Sequence, residues 1–183
     1  MKKDRARQAA GMGLLELVMV LALLALMLGL SWPSLMRMRQ RQQWQAVAED
    51  LRSSLLFARA QATLRQQRVM LCPAANGEDC DAAGDWTLGW LVFVDADHSG
   101  RRSAEEAVLM RRQALPAQGV LQGYASVAHG VGYGAEGLSQ LPSGAFQAGT
   151  LTLCVKGEPQ GWRLVINAVG RPRLETVQLG ACP

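Results

Sequence analysis

Hydrophobic and polar positions divide the chain into three stretches. Leu17 to Met36 runs for 20 residues without a charge. At 1.5 Å per residue an α-helix of that length covers about 30 Å, the thickness of a bilayer core. The stretch is apolar on every face, which favours a membrane span over a buried soluble helix. Next, Trp44, Val47, Leu51, Leu55, Ala58 and Ala62 recur at steps of three and four, one stripe of a helix predicted to run to about Gln67. From "RVMLCP" onward the pattern becomes strand-like. "RVMLC", "WTLGWLVFVD", "AVLMRRQAL", "GVLQGY", "TLTLCV" and "GWRLVINA" are short apolar or alternating runs punctuated by Gly and Pro. "AHGVGYGAEGLSQLPSGAFQAG" holds six of the 19 glycines and reads as loop with weak strands. No internal repeat is evident. The expected class is α+β: a long amino-terminal helix, transmembrane and then amphipathic, packed on a β-rich head. The expected segments are residues 1–11, 12–36, 37–68 and 69–183.

Charge changes the picture only locally. The formal net charge is +4 over 183 residues. Lys2, Lys3, Arg5 and Arg7 against Asp4 account for +3 of it, so a polyanion must be held by a patch rather than by bulk charge. The basic leader places the amino end in the cytoplasm and the head on the far side of an inner membrane. Arg37, Arg39 and Arg41 beyond the span oppose that orientation, but the cysteines support it. Cys72 and Cys80 bracket a short loop and form the natural local pair. Cys154 and Cys182 would then pin the carboxy-terminal strand. Disulfides suit an exported, oxidising location. Zinc is disfavoured because no CxxC spacing occurs and His98 and His129 stand alone.

Little catalytic chemistry is available. There is no G-x-S-x-G, no Walker loop and no histidine beside a plausible nucleophile. No enzyme activity and no cofactor are expected. "DADHSGRRSAEE" matches a calcium-loop spacing, with Asp95, Asp97, Ser99, Gly100 and Glu106 at positions 1, 3, 5, 6 and 12. A strand-like run precedes it where an EF-hand has a helix. The plainer expectation is a polar hairpin loop whose aspartates bond their own backbone.

Glu16 interrupts the apolar pattern at the start of the span, where a lone carboxylate needs a positive partner. "GMGLLELVMV" resembles the class III leader of type IV pilins and pseudopilins, although Met12 and Gly13 replace the usual Phe and Thr. The resemblance implies that a prepilin peptidase cuts after Gly11 and that Met12 becomes a methylated amino terminus. It also implies that Glu16, the fifth mature residue, pairs with the terminus of a neighbouring subunit. Pro33 falls where many pilins carry a helix-loosening proline. "LRSSLLFARAQATLRQQRVMLCP" and "GWLVFVDADHSGRRSAEEAVLMR" are similar to the GspH/FimT group of minor pilins and pseudopilins. Members of that group prime the pilus tip (FimU-like), serve type II secretion (GspH-like) or bind DNA during natural transformation (FimT-like). The last of these share a G-R-x-R motif, filled here by Gly170, Arg171, Pro172 and Arg173. Implied partners are DNA, other minor and major pilins, the peptidase and the inner membrane.

The arginine motif has a physical rationale. Pro172 holds Arg171 extended, so Arg171 and Arg173 project to one side, about 6–7 Å apart at the backbone. Guanidinium forks suit phosphate oxygens. Lys156 and Arg163 lie in adjacent strand-like segments and are candidates to widen the patch. Glu175 is placed to neutralise one arginine. No aromatic lies within the turn, so the expected ligand is duplex DNA, held without base readout.

Overall fold

A computed structural model of the chain describes residues 13–75, 77–180 and 182, without the side chains of residues 24, 27–34 and 37. Gly11 and Met12 lie outside the described residues. Helix α1 spans Leu14–Arg65, 52 residues, with Glu16 in its first turn and Arg65 in its last. The chain divides into two compact units, Met1–Gln43 and Trp44–Pro183. In the first unit the apolar residues Leu14, Leu15, Leu17, Met19 and Leu23 are exposed. Among the described residues no helix is long and apolar enough to cross a membrane. The expected span Leu17–Met36 includes residues whose side chains are not described.

The second unit shows why α1 carries its stripe. Trp44, Leu51, Leu55, Ala58 and Ala62 are all buried, together with Ala48. They pack on two antiparallel sheets. The first has the order β3-β2-β1-β5, from β1 Val69–Pro73, β2 Trp90–Val94, β3 Val108–Arg112 and β5 Val131–Tyr133. The second has the order β4-β6-β7-β8, from β4 Gly119–Ala125, β6 Gly149–Val155, β7 Gln160–Ile166 and β8 Pro172–Gln178. Trp44 meets the second sheet at Gly119, where a Cβ would fall 2.4 Å from the indole.

β1 and β2 are buried at every position, which is why they read as unbroken apolar runs. Val69, Leu71, Trp90 and Val92 join the main core, while Met70, Leu91 and Phe93 form a second cluster on the opposite face. The second sheet alternates instead. Leu121, Leu151, Leu153, Trp162, Leu164 and Ile166 point into the core. Their neighbours in sequence make up an outer, solvent-facing side. Disulfides join Cys72 to Cys80 and Cys154 to Cys182.

One ion pair is deeply buried. Arg68 Nε donates to Asp95 Oδ2 at 2.6 Å, with both side chains almost fully covered. Arg68 Nη1 donates to the Leu141 carbonyl at 3.0 Å. The pair thereby ties the start of β1 to the loop after β2.

Candidate nucleic-acid interface

The arginine motif sits at the turn between β7 and β8. Asn167 organises that turn: its carbonyl accepts from Gly170 N–H at 2.8 Å and its side-chain oxygen from Arg171 N–H at 3.2 Å. Gly170 has φ +76°, which disfavours any residue with a Cβ. A Cβ there would also lie 2.7 Å from the Gly137 carbonyl oxygen and 3.0 Å from the Tyr133 ring. This glycine is therefore required by packing, independently of any ligand.

Pro172 opens β8 opposite Ile166 and is buried. β8 is an edge strand, the position a missing N–H permits. With Pro172 turned inward, the flanking Arg171 and Arg173 are both exposed. Arg173 donates through Nη2 to Glu175 at 2.6 Å, and its side chain remains 75% exposed. Among the described residues no carboxylate comes within ion-pair distance of Arg171.

Arg163 is exposed on β7, directly across from Glu175. Cross-strand partners share a face, so Arg163, Arg173 and Glu175 lie on the outer side of the sheet. Lys156 is exposed but belongs to the β6–β7 turn, at the far end of β7 from Asn167. At the usual strand rise the seven residues of β7 separate those ends by about 20 Å. The fold thus unites Arg171, Arg173 and Arg163 and leaves Lys156 out. The sequence reading missed Tyr124, on the outer side of β4, whose hydroxyl donates to Gln122 Oε1 at 3.0 Å. A β-alternation starting from the inward Leu121 was the signal available for it.

The acidic loop comes together but is occupied from within. Asp95, Asp97 and Glu106 each bring a carboxylate oxygen within 4.8 Å of the others. Asp95 is held by Arg68 and by Gly100 N–H at 3.2 Å. Glu106 accepts from Ala96 N–H at 2.8 Å and from Ser103 N–H at 2.9 Å. Asp97 accepts from Ser99 N–H at 2.9 Å, and this bond lowers its pKa. These bonds to Arg68 and to the loop's own backbone are those of a polar hairpin turn. Glu16 is exposed at the helix start, and its N–H donates to the Gly13 carbonyl at 3.0 Å.

The model for type II transport protein GspH matches residues 47–170, more than half of the chain. This chain belongs to the GspH family. It is a minor pilin or pseudopilin, a structural subunit rather than an enzyme, of a class that implies membrane anchoring and association with other pilins. Type IV minor pilin FimU of Pseudomonas aeruginosa PAO1 is similar in two crystal forms. One has 23% identity and a TM-score of 0.60, with 79% of this chain and 98% of FimU covered. The other has 23% identity and a TM-score of 0.57, with 76% and 99% covered. The minor pseudopilin EpsH of Vibrio cholerae aligns with 17% identity, a TM-score of 0.45, and coverage of 75% and 98%. At 23% identity the two FimU structures speak for the fold alone. No curated protein matches the chain. The family match ends at Gly170, so Arg171 and Arg173 lie just beyond it.

Proposed function

We propose that this GspH-family subunit binds DNA without sequence preference and that a type IV pilus uses it for DNA uptake in natural transformation. The supporting observation is the pair Arg171 and Arg173, both exposed around an inward Pro172 at a rigid edge turn, with Arg163 on the same side. Such a patch contacts two to four phosphates, so binding is weak, salt-sensitive and independent of sequence. The same reading has the leader cut after Gly11, Met12 methylated, and residues 17–36 held in the inner membrane with the head on the periplasmic side. Glu16 then pairs with a neighbouring subunit's terminus during assembly.

The test is fluorescence anisotropy of the full-length chain in detergent with a labelled duplex, over a salt series. Binding is expected with a log–log salt slope of roughly −2 to −4. Arg171→Gln together with Arg173→Gln should abolish it while the melting temperature holds. No affinity for duplex or single-stranded DNA at low salt sinks the DNA reading. A structural priming subunit at the pilus tip then replaces it, a role favoured by the similarity to FimU over 98% of that chain. Type II secretion is the other setting for a subunit of this family.

A further inference from the structure

The outer side of the second sheet carries more than arginines. Across its four strands Tyr124 pairs with Thr150, Thr150 with Val165, and Val165 with Arg173. Directly opposed residues point the same way, so these four form one row on the solvent side. Tyr124 and Arg173 stand at its two ends, three strand spacings or about 14 Å apart. Arg163 lies one row further along. Among the described strand positions of this side Glu175 is the single acid.

Tyr124 is not a core residue that happens to reach the surface. Its side of β4 faces solvent and the residue is 43% exposed. Its hydroxyl bonds Gln122, two residues back on the same side, so the phenol leans along the strand. A ring held in that way offers a face to a flat partner. Arginines at one edge of the sheet face and an exposed aromatic at the other are a combination that holds unpaired bases: cations follow the backbone while the ring stacks a base. A duplex hides its base faces within its own stack and would meet the arginines alone.

We infer that the outer side of this sheet is a track for single-stranded DNA, with Arg171, Arg173 and Arg163 on phosphates and Tyr124 stacking a base. The inference deepens the DNA reading above and rests on it. It replaces the expectation of a duplex ligand, which followed from the lack of an aromatic within the turn.

The experiment compares a labelled oligothymidylate with a duplex of equal length, each titrated with the full-length chain in detergent. The single strand should bind more tightly. Tyr124→Ala should weaken single-strand binding about 5-fold or more, the loss of one base–aromatic stack, and leave duplex affinity unchanged. Tyr124→Phe should retain the wild-type affinity, because the ring is kept. Arg173→Gln should weaken both probes. Circular dichroism and melting temperature establish that each variant is folded. Equal effects of Tyr124→Ala on both probes, no effect on either, or tighter duplex binding overturns the inference while DNA binding itself stands. Binding of neither probe overturns both.

Discussion

In the proposed interface Glu175 competes with phosphate for Arg173, so Glu175→Gln probes that proposal most sharply. Its Oε1 takes Arg173 Nη2 at 2.6 Å, and Arg163 faces it from the neighbouring strand. With Arg171, Arg163 and Arg173 against Glu175 the patch is +2, and the substitution makes it +3. The Glu175 side chain is 34% exposed and that of Arg173 75%, so solvent screens the pair. Exposed pairs of this kind contribute about 0.2–1 kcal/mol. Breaking the pair to bind DNA costs that amount, and removing it should tighten binding by about 1.4- to 5-fold at low salt. Arg173 then engages a phosphate unopposed, and the salt slope should steepen by up to about 0.9. The assay is anisotropy with one labelled probe across a salt series, wild type beside variant. Weaker binding, or an unchanged affinity with an unchanged slope, would refute the placement of Arg173 on DNA.

Further outcomes follow from the packing. Gly170→Ala forces a Cβ onto φ +76° and towards the Gly137 carbonyl, and should cost at least about 1–3 kcal/mol in denaturant unfolding; a neutral result contradicts the turn geometry. Tyr133 is buried and its hydroxyl has no partner among the described residues, so Tyr133→Phe should be neutral or stabilising; a loss above about 1 kcal/mol would reveal a hidden bond. Burial raises the Tyr133 pKa well above the usual phenol range, with Arg59 opposing. The unfolded phenol ionises near pH 10 and the folded one does not, so the contribution is complete below about pH 10 and lost as pH climbs past it. Melting temperatures should fall on that alkaline limb, and less steeply in Tyr133→Phe. Asp95→Asn leaves Arg68 buried without its counter-ion and should cost about 3–5 kcal/mol in the same unfolding assay; a loss under about 1 kcal/mol would show that water reaches Arg68.

Some elements were legible from local pattern and others were not. The α1 stripe and the runs of β1 and β2 were visible because burial on a fixed face or on both faces imposes a period or an unbroken apolar segment. β8 was not. It opens with proline, carries Arg173 and Glu175, and buries Pro172 fully and Leu174 in part, so its pairing with β7 supplies what its composition lacks. Off the helix stripe, Arg59 donates to the Gly137 carbonyl at 2.8 Å, and Asp50 accepts from Arg112 of β3 at 2.7 Å. Neither contact has a local signal, since each joins residues far apart in the chain.

By itself the sequence determined the long helix with its stripe, the apolar runs of β1 and β2, the two arginines projecting to one side around Pro172, and the candidate cysteine pairs. Those depend on periodicity and on backbone limits that act over a few residues. Only the tertiary structure decided that Lys156 lies apart from the arginines, that Glu175 answers Arg173, that the acidic loop bonds Arg68 and backbone amides, and that Tyr124 shares a row with Arg173. Strand register sets these relations. It is fixed by how whole sheets bury their inner faces against α1, which no short stretch of sequence encodes.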